Sequence, residues 1–216
     1  MYNWNQDIDE VLDKYSLLKY DSNNRCLSGE IELVSSSTGK YIDIFNVKIF
    51  IPDDFPKCFP RVIEKGGKIP RILSRHVMPE TNHLCLAVEI EEILLCTQGI
   101  TLLWFCDKVL VPRLCEEFRV NNGEKYQKEY SHGFGGTWEF LMKHLKLKNP
   151  KLVLNFIKAI ANKKTPRGDR ICLCDSGLEY RLCHKKVVLS LQHLNNKLLN
   201  GLHDYLLKHP YNGSNL

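Results

Sequence analysis

Two groups of residues in this chain have the types and spacing that chemistry needs. The first is Cys172-Leu173-Cys174, followed after eight residues by Cys183-His184. Three thiols and an imidazole complete a tetrahedral zinc set. A Cys-x-Cys pair grips one ion through two short arms, and Gly177 lets the chain fold back to bring the other two ligands. No cysteine lies three residues before Cys183, so this is not the haem attachment pattern. A closed four-ligand site has no open position for a substrate, which makes the expected zinc structural. The second group is a lone thiol, Cys85, between Leu84 and Leu86, with Asn82, His83 and, nine residues back, His76 before it. A thiolate is a nucleophile, and positive or hydrogen-bonding neighbours make it available. A buried structural cysteine fits the same stretch, because a free thiol packs as a small hydrophobe. Taken alone, these residues leave both readings open.

The elements that must position these residues follow from periodicity. Residues 7–18 predict a helix, with Asp7 as its cap, Glu10 three positions on, and Ile8, Val11, Leu12, Tyr15 and Leu18 on one stripe. Residues 26–34 and 41–51 predict neighbouring antiparallel strands, the second with Ile42, Ile44, Val47, Ile49 and Ile51 inward. Pro52, Pro56 and Pro60 make the next stretch a stiff crossing, released at 61–63 into a short third strand. Residues 101–111 predict a helix that Pro112 kinks or ends. Farther on, 149–162 reads as a helix, 163–170 as a loop and 187–208 as a final helix.

Composition sets the class. The 216 residues, 44% hydrophobic and 25% charged, are ordinary for a globular protein. Residues 1–10 are polar and acidic, unlike a signal peptide, and no apolar run approaches the ~20 residues of a membrane span. We therefore expect a cytoplasmic protein whose nine cysteines are reduced, with packing the default for Cys26, Cys58, Cys96, Cys106 and Cys115. Residues 1–142 hold 16 Lys and Arg against 21 Asp and Glu, a net of −5, whereas 143–216 hold 14 against 4, a net of +10. That shift predicts two domains, 1–145 and 146–216. The lysines of the tail are dispersed, and its aromatics form no stacking series, which argues against nucleic acid as a partner.

The running order of the first domain resembles that of ubiquitin-conjugating (E2) enzymes. Phe55-Pro56-Lys57-Cys58-Phe59-Pro60-Arg61-Val62 is similar to the family's Tyr-Pro-x-x-Pro-Pro-x-Val segment, and Cys85-Leu86 to its active-site Cys-Leu. His76 falls near the place of the family's His-Pro-Asn histidine. Glu129-Tyr130-Ser131-His132-Gly133-Phe134-Gly135-Gly136-Thr137-Trp138-Glu139-Phe140 resembles a segment of bacterial E2-like proteins, which sit in ubiquitin-like conjugation operons, several tied to antiphage defence. Cys172 to His184 is similar to the SEC-C motif, with Leu173 in place of its proline and Asp175 in place of its first glycine.

These resemblances imply an α+β fold: a UBC-like antiparallel meander sheet with packed helices, then a small helical zinc-binding C-terminal module that docks protein partners. They imply a transferase in which Cys85 carries a ubiquitin-like protein as a thioester, received from an E1-like activating protein and passed to an amine on a protein target. The departures bear on mechanism. Val77-Met78 follow His76, so the family's oxyanion-donating asparagine has no counterpart here. Asn82 is a substitute on spacing, or else a turn residue. His83 is a solvated loop residue or an aid to ionising Cys85. His132, among glycines, is a site residue or a structural hydrogen-bonding group, and His76 reads as a loop anchor. The alternative to an enzyme is an inactive UBC-fold binding module with a zinc adaptor tail.

Overall fold

The computed structural model describes residues 4–35, 37–127 and 130–211. It is an α+β structure with a four-stranded antiparallel sheet in the order β1-β2-β3-β4. Two compact units divide the chain, one of Met1–Ala87 with Gln98–Lys128 and one of Val88–Thr97 with Glu129–Leu216.

In the first unit α1, Trp4–Lys14, leads into β1, Leu18–Asp21. The predicted helix stops short of Leu18, whose N–H donates to the Tyr15 carbonyl at 2.9 Å before Leu18 enters the sheet opposite Gly29. Tyr15 and Leu18 keep the helical spacing, so periodicity alone carried the expected helix across this turn. At Gly29 a side chain is impossible: an added Cβ would stand 2.2 Å from the Leu17 carbonyl oxygen, at a φ of 143°.

Strands β2, Cys26–Val34, and β3, Tyr41–Phe50, pair antiparallel as expected. Leu27 faces Ile49, Gly29 faces Val47 and Ile31 faces Phe45, so one face of the pair is continuous core. The inward set of β3 differs in part from expectation. Phe45, Val47 and Ile49 are buried, whereas Ile42 and Ile44 fall on the other face, because residues of opposite parity point to opposite sides. The proline-rich crossing leads to β4, Arg61–Glu64, paired with β3.

After α2, Glu89–Thr97, the first unit resumes with α3, Leu102–Phe105, a π-helical turn, Cys106–Leu110, and α4, Val111–Asn121. Pro112 does not end the helix. It sits at the start of α4, directly after the π-helical turn, in which the Val111 N–H reaches back five residues to the Cys106 carbonyl and the helical path runs on past the proline. Asp7, expected to cap its own helix, is buried inside α1 and caps α3 instead. Its carboxylate accepts from the N–H groups of Leu102, at 2.6 Å, and Leu103, at 3.3 Å.

The second unit is helical: α2, α5 (Phe134–Leu145), α6 (Pro150–Ala161), α7 (Lys185–Leu191) and α8 (Asn196–Lys208). Trp138, Leu141, Leu145, Phe156, Ile157 and Val188 form its core, and each such side chain contributes roughly 1.5–3 kcal/mol on burial. The expected boundary at 145/146 falls inside this unit, since α5 packs against α6 and α7. The single final helix expected over 187–208 is two helices. Asn195 caps the second by accepting from the Leu198 N–H at 2.8 Å, and this side-chain bond outcompetes continuation of the helix. No helix among the described residues is long and apolar enough to cross a membrane.

Candidate functional site

Cys172, Cys174, Cys183 and His184 converge, their ligand atoms all within 4.8 Å of one another. A short antiparallel hairpin does this. Ile171 bridges Glu179, the Cys172 N–H donates to the Leu178 carbonyl at 2.9 Å, and the Tyr180 N–H donates to the Arg170 carbonyl at 2.7 Å. The tip turns at Asp175 (φ 60°) and Gly177 (φ 74°), as the glycine in the sequence anticipates. A 3₁₀ turn, Tyr180–Leu182, then delivers Cys183 and His184 at the start of α7.

Inside the cluster the Cys183 Sγ lies 3.0 Å from the His184 Nδ1 and 3.4 Å from the Cys174 Sγ, and the Cys172 Sγ lies 3.4 Å from the same Nδ1. A tetrahedral ion with metal–sulfur bonds of about 2.3 Å has edges of about 3.8 Å, so small outward shifts of the side chains admit it. The histidine tautomer is set by its other nitrogen. A carbonyl can only accept, so the His184 Nε2 donates to the Leu145 carbonyl at 2.7 Å and leaves the Nδ1 lone pair to the thiols. Burial pushes the Cys172 thiol up to about 11. Burial pushes on Cys174 as well, but the Ser176 hydroxyl, 3.1 Å away, and the Cys183 thiol outweigh it and hold Cys174 below the usual thiol range. Three such thiols side by side shed all their protons when a cation shares their charge, as in a metal centre. These four residues could hold a metal ion.

The thiol site lies in the first unit. The chain after the Leu73–Arg75 turn doubles back on itself: Val77 bridges Leu84, the Met78 N–H donates to the His83 carbonyl at 2.9 Å, and the Cys85 N–H donates to the His76 carbonyl at 2.7 Å. The Leu84 N–H donates to the Val62 carbonyl at 2.8 Å and so ties this hairpin to β4. Cys85 is half-buried, whereas Cys26, Cys96 and Cys106 are buried. Burial pushes the Cys106 thiol far above the usual range, which keeps it inert. No family model, curated protein or solved structure matches the chain.

Of the residues predicted around Cys85, His76 belongs to the same unit and lies close to it. A ring nitrogen of this buried histidine lies within 4.8 Å of the Cys85 Sγ. The sequence reading made it a loop anchor. It is that too, with a left-handed φ of 51° closing the turn before it. Asn82 also has a left-handed φ, 59°, which asparagine tolerates, and its N–H donates to the Met78 carbonyl at 2.7 Å, so turn geometry accounts for its type. His83 packs edge-on against Phe50 at 6.0 Å. Burial, with the charge of Arg61, lowers its pKa, which makes it a weaker source of positive charge for a thiolate than an ordinary imidazole.

His132 belongs to the second unit, in the loop that locks the start of α5. Glu139 accepts from the Ser131 N–H at 2.7 Å and from its hydroxyl at 2.5 Å. Gly136 leaves room for the loop: a Cβ there would stand 2.1 Å from the Ser131 carbonyl oxygen and 2.9 Å from the Val88 Cγ1. Ser131, Gly136 and Glu139 of the motif thus have structural work as a helix lock. Its first residue, Glu129, lies outside the described residues.

A buried ionic cluster behind His76 went unread in the sequence. Glu117 is fully buried and holds Arg75 (2.5 Å) and Arg113, while the Tyr126 hydroxyl donates to it at 2.7 Å. The four-residue spacing of Arg113 and Glu117 on α4 was a legible signal for one pair. The approach of Arg75, 42 residues away from Glu117, was not.

Proposed function

We propose that this chain is an E2-like conjugating enzyme. Cys85 accepts the C-terminal acyl group of a ubiquitin-like protein as a thioester from an E1-like activating protein and passes it to an amine of a protein target. The observation that carries this reading is the half-exposed Cys85 thiol beside the His76 imidazole, on a hairpin tied to the last strand of an antiparallel meander. A thioester keeps the acyl group activated, so the enzyme's task is to position the thiol and to ease its ionisation. ATP is consumed by the activating protein, and the reading requires no nucleotide site here.

The same reading makes the Cys172, Cys174, Cys183 and His184 cluster a structural zinc site, since soft thiolates with one imidazole suit Zn²⁺. The second unit then serves as a protein-docking module, and the whole works in the cytoplasm within a bacterial ubiquitin-like pathway, of the kind tied to antiphage defence.

The test is charging. Mixed with the activating protein, the ubiquitin-like protein and ATP, the wild type forms a reductant-sensitive conjugate. Cys85→Ser abolishes it or converts it to a reductant-resistant oxyester, and Cys58→Ser leaves it unchanged. A full reductant-sensitive conjugate on Cys85→Ser ends this reading. One observation favours the inactive binding module: turn geometry alone accounts for Asn82, which leaves the oxyanion donor unassigned. A wild type that never charges decides for that module.

A further inference from the structure

The imidazole beside Cys85 is backed by a set of bonds that the acyl-carrier reading does not by itself require. The His76 ring meets the Tyr126 ring edge to face, with centroids 5.4 Å apart and planes at 81°. The Tyr126 hydroxyl donates to the Glu117 Oε1 at 2.7 Å and accepts from the Arg75 Nε at 2.9 Å. Arg113 lies over the face of the same ring, 4.8 Å from its centroid. Glu117 draws both guanidinium groups and Glu116 pairs with Arg113 at 3.5 Å, so two carboxylates balance two arginines and the cluster is not a source of net charge at the thiol. On the other side, the backbone bond from Cys85 to His76 holds the two residues opposite each other.

We propose that His76 is the proton acceptor for the Cys85 thiol, and that Tyr126, held by Glu117, is the positioning residue that keeps the imidazole in place. The proposal deepens the acyl-carrier reading and rests on it. The Sγ–H proton passes to the His76 ring, directly or through one water. The thiolate attacks the carbonyl carbon of the donor thioester and forms the new C–S bond. The donor's C–S bond breaks, and its leaving thiolate takes the proton back from the imidazolium. Nothing is oxidised or reduced, and the donor thioester is the one co-reactant. Such pairing is how a cysteine beside an imidazolium gains thiolate character well below the ordinary range.

Iodoacetamide alkylation of Cys85 in the intact protein, followed across pH by mass spectrometry of its peptide, tests this without any partner. The wild-type midpoint is expected at least about one pH unit below the ordinary thiol value of ~8.5. His76→Asn should return it to ~8.5, with a roughly tenfold slower reaction at neutral pH, while asparagine still accepts the left-handed backbone and so preserves the hairpin. Tyr126→Leu should move the midpoint part of the way, and Tyr126→Phe, which keeps the ring but loses the hydroxyl that Glu117 and Arg75 hold, should move it less. A wild-type midpoint at ~8.5, or one that His76→Asn leaves in place, overturns the proposal. A midpoint indifferent to Tyr126→Leu overturns the positioning role. His76→Asn protein that charges at the wild-type rate also overturns the proposal and leaves the acyl-carrier reading standing. A lowered midpoint in a protein that never charges overturns the acyl-carrier reading and leaves the thiol–imidazole pair.

Discussion

The His184 Nε2 donates to the carbonyl of Leu145 at 2.7 Å, which ties one candidate metal ligand to the C-terminal end of α5. Leu145 is fully buried in the core of the second unit, so the ligand cluster is continuous with that core rather than a detachable knuckle. Metal binding therefore couples to the stability of the helices around it. Purified under reducing conditions, the protein is expected to hold one zinc ion per chain by elemental analysis. Free metal at about 100 times its Kd contributes about 2.7 kcal/mol. A chelator should lower the unfolding temperature, and added zinc should restore it. His184→Ala should blunt both effects, and a melting curve indifferent to chelator would count against the site.

Glu117 is the second point of vulnerability. Its carboxylate is fully buried between Arg75 and Arg113, and truncating one member of such a cluster strands the others. Glu117→Ala is expected to cost about 3–5 kcal/mol, read by urea unfolding of the first unit. A loss below about 1 kcal/mol would mean that the arginines find water instead.

Gly136→Ala should destabilise the second unit, because the added methyl meets a backbone carbonyl at 2.1 Å rather than a side chain that could swing away. Overpacking of this kind costs about 1–3 kcal/mol. Gly201→Ala is the control on α8, where nothing stands within 4 Å of the new Cβ, and it should be neutral or slightly stabilising. Thermal melts of the two variants separate these outcomes.

Two carboxylates of the first unit pull in opposite directions with pH. Burial pushes Asp107 up, but Lys14 and the Tyr15 hydroxyl, both at 2.6 Å, outweigh it and hold its pKa below the usual range. A depressed folded pKa means stability that is present above the unfolded value, about 3.9, and is lost as pH falls through the folded one. For Asp7, burial outweighs the bonds from Leu102 and Leu103 and raises the folded pKa. Its ionised form therefore costs stability, which acidification recovers between the raised folded value and about 3.9. Urea denaturation at neutral pH, at about pH 5 and at about pH 3 reads both effects. Asp107→Asn should remove part of the acid loss. Asp7→Ala should cost about 0.5–2 kcal/mol at every pH through the lost cap, and Asp7→Asn, which keeps an acceptor oxygen, should cost less.

What the residues alone determined is what depends on near neighbours. Strand β2 was read to the residue because alternation at period two is written into Cys26–Val34 itself. Helix α6 was read to within a residue because Asn149 and Pro150 mark its start. The four candidate metal ligands were legible as a cluster because all lie within one hairpin and the turn after it, where spacing limits the geometry. Tertiary structure decided the rest. Local periodicity ran unbroken through Leu18 and through 192–195, yet β1 exists because Leu18 can pair with Gly29, and the last helix breaks where Asn195 caps a new one. Asp7 looked like the cap of its own helix and serves α3, 95 residues on, because burial next to that helix start offers it two unpaired N–H groups. The cluster behind His76 gathers Arg75, Arg113, Glu117 and Tyr126 from three separate stretches, and beyond the Arg113–Glu117 pair on α4 no spacing rule connects them. Such contacts form only once the hairpin and α4 have packed together, since a buried carboxylate takes whichever cations the fold brings within reach.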